Sequence, residues 1–426
     1  MSAASTTPAK SAVIGWVLYD VANTLFSMGV VTISFPLLVR SIFGAEKADV
    51  VVGTITAISM AIIFVCSPLL GAMTDRAPQR MPFLIGATLL CVLATAVLAT
   101  MGFTLAAVCF VIANIAFQAG VQFYDALLPA VSTPQTRGRI SGLGVGCGYL
   151  GSFLAIGLSV VLGQNPTWLF LAVAAGFLLL ALPCFIFVRE PRNTAARPFN
   201  PYMVIESTKQ TIHTLRDTQA YPGLLRFLVA RMFYTDAINT IILIMLLFAT
   251  NVGEAHGMAR DRAEANGKYV MAAALVFAIA GGLGAGRLAD TLNPKRTLLG
   301  VLILWLVILA FAVAIGLFTL PFWTLYILGA LTGAALGGTW ASDRAMMLRL
   351  TPPARIGEFY GLYGMVGRFA AIVGPAVWAG INHIAGDAGV APLRSQAFAL
   401  CALLVLLGTG LFIFRKVPAT SPVGHQ

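Results

Sequence analysis

Charge is scarce in this sequence. Asp, Glu, Lys and Arg make up 10% of its 426 residues, against about 25% in water-soluble domains. Hydrophobic residues reach 59% and the mean hydropathy is +0.89, so most of the surface cannot face water and the chain reads as an integral membrane protein. Material for catalysis is also short. The four histidines, His213, His256, His383 and His425, lie in loops or at span ends, and no Ser-His-Asp or His-Glu cluster can be drawn from them. An enzyme is not expected. The six cysteines, Cys66, Cys91, Cys109, Cys147, Cys184 and Cys401, all fall within apolar runs without a CxxC pair, which argues against disulfides and metal sites. No Gly-x-x-x-x-Gly-Lys loop is present, so no nucleotide cofactor is implied. The N-terminal MSAASTTPAK lacks the parts of a signal peptide and reads as a short cytoplasmic tail. The net charge of +11 sits in short segments between apolar runs, where it sets orientation and implies no nucleic-acid partner.

What fills the chain is a series of apolar stretches of about 20 residues, each long enough to cross a hydrocarbon core as a helix. Twelve spans are predicted, at 14–39, 50–73, 82–101, 103–128, 142–163, 167–188, 226–249, 267–286, 297–319, 322–342, 359–382 and 395–414. Of the 27 Lys and Arg, 20 collect on one side; the other side has Arg40, Lys47, Arg260, Arg262, Lys268 and Arg394, and Arg368 lies inside a span. The positive-inside rule then predicts a multi-pass protein of the cell (inner) membrane with both termini cytoplasmic. The long basic, Pro-containing interruption divides the spans six and six, so residues 1–188 and 226–426 are read as two six-helix bundles joined by a 189–225 linker. Within it Val204, Ile205, Thr208, Ile212 and Leu215 fall near helical spacing, which predicts an amphipathic helix on the cytoplasmic surface.

The halves repeat each other. Tyr19-Asp20-x-x-Asn23-Thr24 in the first span matches Asp236-x-x-Asn239-Thr240 in the seventh at an offset of 216, with Tyr234 just upstream. Gly71-x-x-x-Asp75 with Pro78 and Arg80 is echoed by Gly286-x-x-x-Asp290 with Pro294 and Arg296. An offset of six spans gives both halves the same orientation, a parallel repeat.

Twelve spans, two parallel halves and the string Gly71, Asp75, Arg76, Arg80 together resemble the major facilitator superfamily. Within it, GWVLYDVANTLFS, QFYDALLPAVS and ARIGEFYGLYGMVGRFAAIVGP look like the vacuole-effluxer family, which includes fungal autophagy-related amino-acid effluxers. Where that family's string has Asn, this chain has Asp125. A neighbouring copper-importing group uses paired methionines, and none of the 14 methionines here forms a Met-x-x-x-Met pair. The resemblance implies an all-α membrane fold and a monomeric secondary transporter working by alternating access, its site between the halves.

Intramembrane charges are the functional candidates, because a bare carboxylate in hydrocarbon costs on the order of several kcal/mol. Asp20, Asn23 and Thr24 form one polar helix face and Asp236, Asn239 and Thr240 its counterpart, read either as facing stripes along a pathway or as packing groups. Asp20 and Asp236 are the proton candidates, since burial disfavours the ionised form. Asn114, Gln118, Gln122 and Asp125 share a face of the fourth span, and Gln118 and Gln122 are read as lining the substrate and proton pathway. Asp125 is expected to pair with Arg76 or Arg80, and Asp343 with Lys295 or Arg296. The resemblance implies a cytoplasmic gate of Asp75, Arg76, Arg80, Asp125, Asp290, Arg296 and Asp343, with Asp75 against the N-terminal end of the eleventh helix. Arg368 lies about 15 Å into that span by helical rise and needs an anion, either a substrate carboxylate or phosphate, or Asp236 or Asp20 in a permanent pair. An amino acid or other small carboxylate is the favoured substrate. A proton-coupled drug exporter and a non-transporting assembly factor are the alternatives.

Overall fold

A computed structural model describes residues 8–98, 100, 102–163, 165–193, 221–369 and 372–419. The predicted linker helix lies outside the described residues. Twelve helical spans follow one another: α1 Lys10–Phe43, α2 Ala45–Arg76, α3 Met81–Leu98, α4 Phe103–Ala126, α5 Arg137–Val161 and α6 Pro166–Phe187, then α7 Pro222–Ala255, α8 Arg260–Leu292, α9 Pro294–Phe318 and α10 Thr324–Leu350. α11 is described over Ile356–Phe369 and Val373–Asp387, and α12 is Pro392–Arg415. Eleven of these spans are long and apolar enough to cross a bilayer. α10 is long enough but less apolar, because glycines and threonines replace branched side chains along it.

Those glycines set the packing of α10 on α8. A Cβ at Gly333 would run into the Ala274 carbonyl and one at Gly337 into the Ala278 carbonyl, so only hydrogen fits there. Helix ends are specified locally. Asn165 caps α6 by accepting from the Thr167 amide at 3.1 Å, and Asn293 caps α9 by accepting from the Lys295 amide at 2.9 Å. Several observed spans overrun the apolar stretches that predict them. α8 begins at Arg260 rather than 267 and α10 continues to Leu350 rather than 342, because a helix can extend beyond the hydrocarbon, where polar residues are tolerated and hydropathy no longer marks its limits.

By their internal contacts, residues 1–217 group with 351–365, and residues 218–350 with 366–426. In the first unit α1 packs on α5 and α6, around stacked rings of Trp16 and Tyr124 at 4.5 Å and of Tyr19 and Tyr124 at 5.1 Å. α1 widens into a π-helix over Ser27–Ser34, where the Thr32 hydroxyl donates to the Ser27 carbonyl at 3.1 Å. α2 and α4 are joined by a polar zipper: Asn114 Nδ2 donates to Ser59 Oγ at 2.7 Å, and Gln122 Nε2 to the Ser67 carbonyl at 2.9 Å. In the second unit α7 packs on α12 and α8, and α9 on α10 and α12.

Candidate substrate and proton site

In the second unit the charged and polar residues converge around α7. Asp343, on α10, is fully buried and accepts from Arg231 Nε at 2.8 Å and from the Tyr234 hydroxyl. This corrects the expected pairing with Lys295 or Arg296. Asp343 sits well inside α10 and faces α7, whereas Lys295 donates to the Arg415 carbonyl and Arg296 is exposed. The guanidinium of Arg231 lies over Gly367, where an added Cβ would stand 2.8 Å from Nη1. It is close enough to act electrostatically on Arg368, the penultimate residue of the stretch Ile356–Phe369. Arg231 and Arg368 therefore neighbour one another, and the two oxygens of Asp343 serve Arg231 and Tyr234.

Asp236 is 2% exposed and does not form the permanent pair with Arg368 that was one reading of that arginine. Its Oδ2 accepts instead from the Gly374 amide at 2.7 Å, while Oδ1 has no hydrogen-bond partner among the described residues. The Gly374 amide lies in the first turn of the helical stretch Val373–Asp387, where a carboxylate from α7 takes it up. A cavity of about 30 Å³, lined by Met232, Phe233, Phe369, Val373 and Leu406, adjoins Asp236. Thr240 donates to the Asp236 carbonyl at 2.8 Å, and Asn239 is half-buried one turn along.

The matching residues of the first unit are differently employed. Asp20 lies against Gly144 and Gly148 of α5; a Cβ at Gly144 would come within 2.9 Å of its Oδ2. Thr24 donates to the Asp20 carbonyl at 3.0 Å, as Thr240 does to that of Asp236. Asn23 is 6% exposed, and neither atom of its amide finds a partner among the described residues. Gln122 exchanges hydrogen bonds with Ser67 and so holds α2 to α4, while Gln118 is half-buried on the same helix.

A second polar cluster lies at the α2–α3 turn. Asp75 accepts from the Gly357 and Glu358 amides at 2.7 and 2.8 Å and pairs with Arg80 at 2.8 Å, the placement against α11 that the resemblance implies. Close approach of α2 and α11 depends on Gly71 and Gly357, since a Cβ on either would strike the other's backbone. Arg80 spends its second nitrogen on Glu190 at 2.7 Å, rather than on Asp125. Gln79 donates to the Glu190 carbonyl and Asn193 to that of Asp75, both at 2.8 Å, which ties the segment after α6 across the turn. Asp75, Arg80, Glu190 and Asn193, with Arg76, Pro129 and Pro353, surround a cavity of about 670 Å³. Asp125 is buried at the end of α4. The echo of this motif in the second unit is looser: Asp290 is half-buried and Arg296 faces outward.

The sequence reading gives no site role to Arg231, Tyr234 or Glu190. The signal for Arg231 is its position five residues before Asp236, inside a helix of 34 residues. Glu190 had a weaker one, being an isolated acid in a basic stretch.

The model of the family described as vacuole effluxer Atg22 like matches residues 47–420. The chain belongs to this family. Among the relatives of this Atg22-like protein, the MFS-type transporter YxiO of Bacillus subtilis (strain 168) is 27% identical over 424 residues, covering 95% of this chain and 94% of its own. Autophagy-related protein 22-1 of Neosartorya fischeri is 24% identical over 308 residues, 66% of this chain but 48% of the fungal one. The chain thus matches about half the length of that relative. The crystal structure of the human organic anion transporter MFSD10 (TETRAN) has a TM-score of 0.70 at 16% identity, covering 95% of this chain and 98% of that one. A bacterial homologue of the iron transporter ferroportin, in an outward-facing state, has a TM-score of 0.72 at 14% identity, with the same coverage. The Atg22-like chain is therefore a multi-pass membrane protein with the major facilitator fold, and its family and neighbours are transporters, not enzymes.

Proposed function

We propose that this Atg22-like protein moves a small carboxylate, an amino acid or another organic acid, by proton-coupled alternating access. The observation that carries the substrate class is that two guanidiniums, Arg231 and Arg368, neighbour one another within the spans of the second unit. Arg231 is held by Asp343, and its guanidinium lies over Gly367, next to Arg368. Charge inside a membrane span is costly, and a substrate carboxylate arriving at Arg368 would meet a planar, bidentate contact. Asp236 supplies the proton site, because its Oδ1 is buried without a hydrogen-bond donor among the described residues. Alternating access assigns the two six-helix halves as moving bodies, and Asp75, Arg76, Arg80, Asp125, Asp290 and Arg296 as the gate at the basic, cytoplasmic side. We place the protein as a monomer in the cell membrane, with both termini in the cytoplasm.

The test is a thermal-shift screen of the purified chain against amino acids, small organic acids and cationic drugs, repeated with Arg368→Ala. Binding to the native state raises the melting temperature by mass action. Stabilisation by a carboxylate that disappears in the variant is expected. Stabilisation only by cationic or apolar compounds, equal in the variant, would overturn the substrate class and favour drug export.

A further inference from the structure

At one end of the second unit, packing gathers cations that the chain keeps far apart. α12 packs against α7 and α9, and its C-terminal end meets their N-terminal ends. The last carbonyls of a helix have no intrahelical donor, and here the neighbouring helices supply one. Arg226 of α7 donates to the Lys416 carbonyl at 2.8 Å, and Lys295 of α9 to the Arg415 carbonyl at 3.1 Å. The Phe227 and Phe414 rings meet at 6.1 Å, and a Cβ at Gly223 would strike Pro418, so α7 and the end of α12 are closely fitted. Arg226, Lys295, Arg296, Arg415 and Lys416 are thereby brought to one place; Lys295 is half-buried and the others are exposed.

Among the described residues none of these five cations forms an ion pair. At the other end of the same unit the cations are matched: Arg260 pairs with Glu254 at 3.8 Å and Lys268 with Glu264 at 2.8 Å. In sequence, segments 194–220 and 420–426 hold two acidic side chains, Glu206 and Asp217, against three basic ones, Arg197, Lys209 and Arg216, so those segments hold no surplus of acid. The helix faces that continue from the cations into the spans are apolar and exposed. Val229 lies three residues from Arg226, Ile303 seven from Arg296 and Phe412 four from Lys416, each on the face its cation shares. Lys416 Nζ stands 4.5 Å from the centre of the Phe412 ring. In a membrane-spanning helix such exposed apolar side chains meet lipid tails, so unmatched cations border directly on a lipid-facing surface.

We propose that this end of the second unit binds an anionic phospholipid of the adjoining leaflet, its phosphodiester among the cations and its tails along Val229, Ile303 and Phe412. Arg226 and Lys295 are positioning residues, since each spends a nitrogen on a carbonyl at the end of α12. Arg415 and Lys416 keep their side-chain charge for the head group, and a lipid held there bridges α7, α9 and α12. Each cation close to an anionic head group contributes about fivefold in affinity. A free phosphate shares the chemistry of the head but has no use for the apolar faces, which is why a lipid fits this surface better. The site depends neither on the substrate class nor on the proton role proposed above, and only Arg296 also belongs to the proposed gate.

Energy transfer from the tryptophans of the full-length protein to pyrene-tailed lipids, in a neutral detergent at fixed ionic strength, tests the site. Phosphatidylglycerol and phosphatidylcholine with the same tails are compared, so that only the head group differs. Phosphatidylglycerol is expected to half-saturate at a concentration lower by about tenfold or more. Arg415→Gln with Lys416→Gln should remove most of that preference while leaving the bonds of Arg226 and Lys295 to the α12 carbonyls in place. Arg260→Gln with Lys268→Gln takes the same charge from the other end and should keep the preference. Equal binding of the two lipids by the wild-type protein would overturn the proposal without any variant having to fold. So would a preference that survives Arg415→Gln with Lys416→Gln, or one lost equally from the other end. Displacement of phosphatidylglycerol by inorganic phosphate at constant ionic strength would replace the lipid with a soluble anion and sink it as well.

Discussion

Asp20 and Asp236 stand in the same string on the first helix of each half, yet their surroundings differ. Asp20 lies against Gly144 and Gly148, in the packing of α1 on α5. Asp236 reaches the Gly374 amide of α11 and a small cavity. The offset of 216 that takes residue 20 to 236 also takes Gly15 to Arg231, since 15 plus 216 is 231. At Gly15 a Cβ would stand 2.6 Å from the Pro183 carbonyl, so the first unit uses the position to bring α1 onto α6. The second unit uses it to send a guanidinium to Asp343. Duplication thus kept the path of the backbone and the local habit of Thr24 and Thr240, which each bond the carbonyl four residues back. The position of Arg231 is a glycine in the first unit, so the Arg231–Asp343 pair belongs to the second unit alone among the described residues.

The sharpest way to break this comparison is to change Arg231 and Gly15 separately. Arg231→Ala leaves Asp343 buried without its ion partner, and a loss of about 3–5 kcal/mol is expected, read as a large fall in melting temperature of the purified protein. Arg231→Ala together with Asp343→Ala should recover much of that loss, because no unpaired charge remains. Gly15→Ala forces α1 off α6 and should cost about 1–3 kcal/mol by overpacking, with no recovery from any change at Asp343.

Smaller effects separate the two copies of the α2–α3 motif. Arg80→Ala strips the cation from Asp75 and Glu190, both of which it holds at under 3 Å, and should destabilise by about 1–3 kcal/mol. Arg296→Ala, at an exposed position, should change the melting temperature little, within about 0.5 kcal/mol. Equal losses from these two variants would mean that the repeat extends to the chemistry of the motif as well as to its spelling.

Much of the architecture was legible before any coordinates, and the reason is that hydropathy acts locally. A run such as residues 297–319 announces a span because each side chain makes its own peace with lipid, whatever lies beside it. Arg368 and Asp236 could be singled out on the same ground, as charges in apolar runs. Their neighbours could not. Arg231 and Asp343 are 112 positions apart, and Arg80 and Glu190 are 110 apart, so no spacing in the chain brings them together. Gln122 was legible as a polar residue on a helix face, but its partner was not: it bonds Ser67 and holds two helices together.

The sequence by itself determined that the chain crosses a membrane as a series of helices, which end carries the basic loops, and that its halves are copies, because these depend on composition and order along the chain. Only the tertiary structure decided which carboxylate meets which cation and that Asp236 meets the Gly374 amide of α11. Those outcomes turn on gaps of an ångström between helices distant in sequence, where a glycine such as Gly374 or Gly367 lets two backbones, or a backbone and a guanidinium, come close enough for charge to matter.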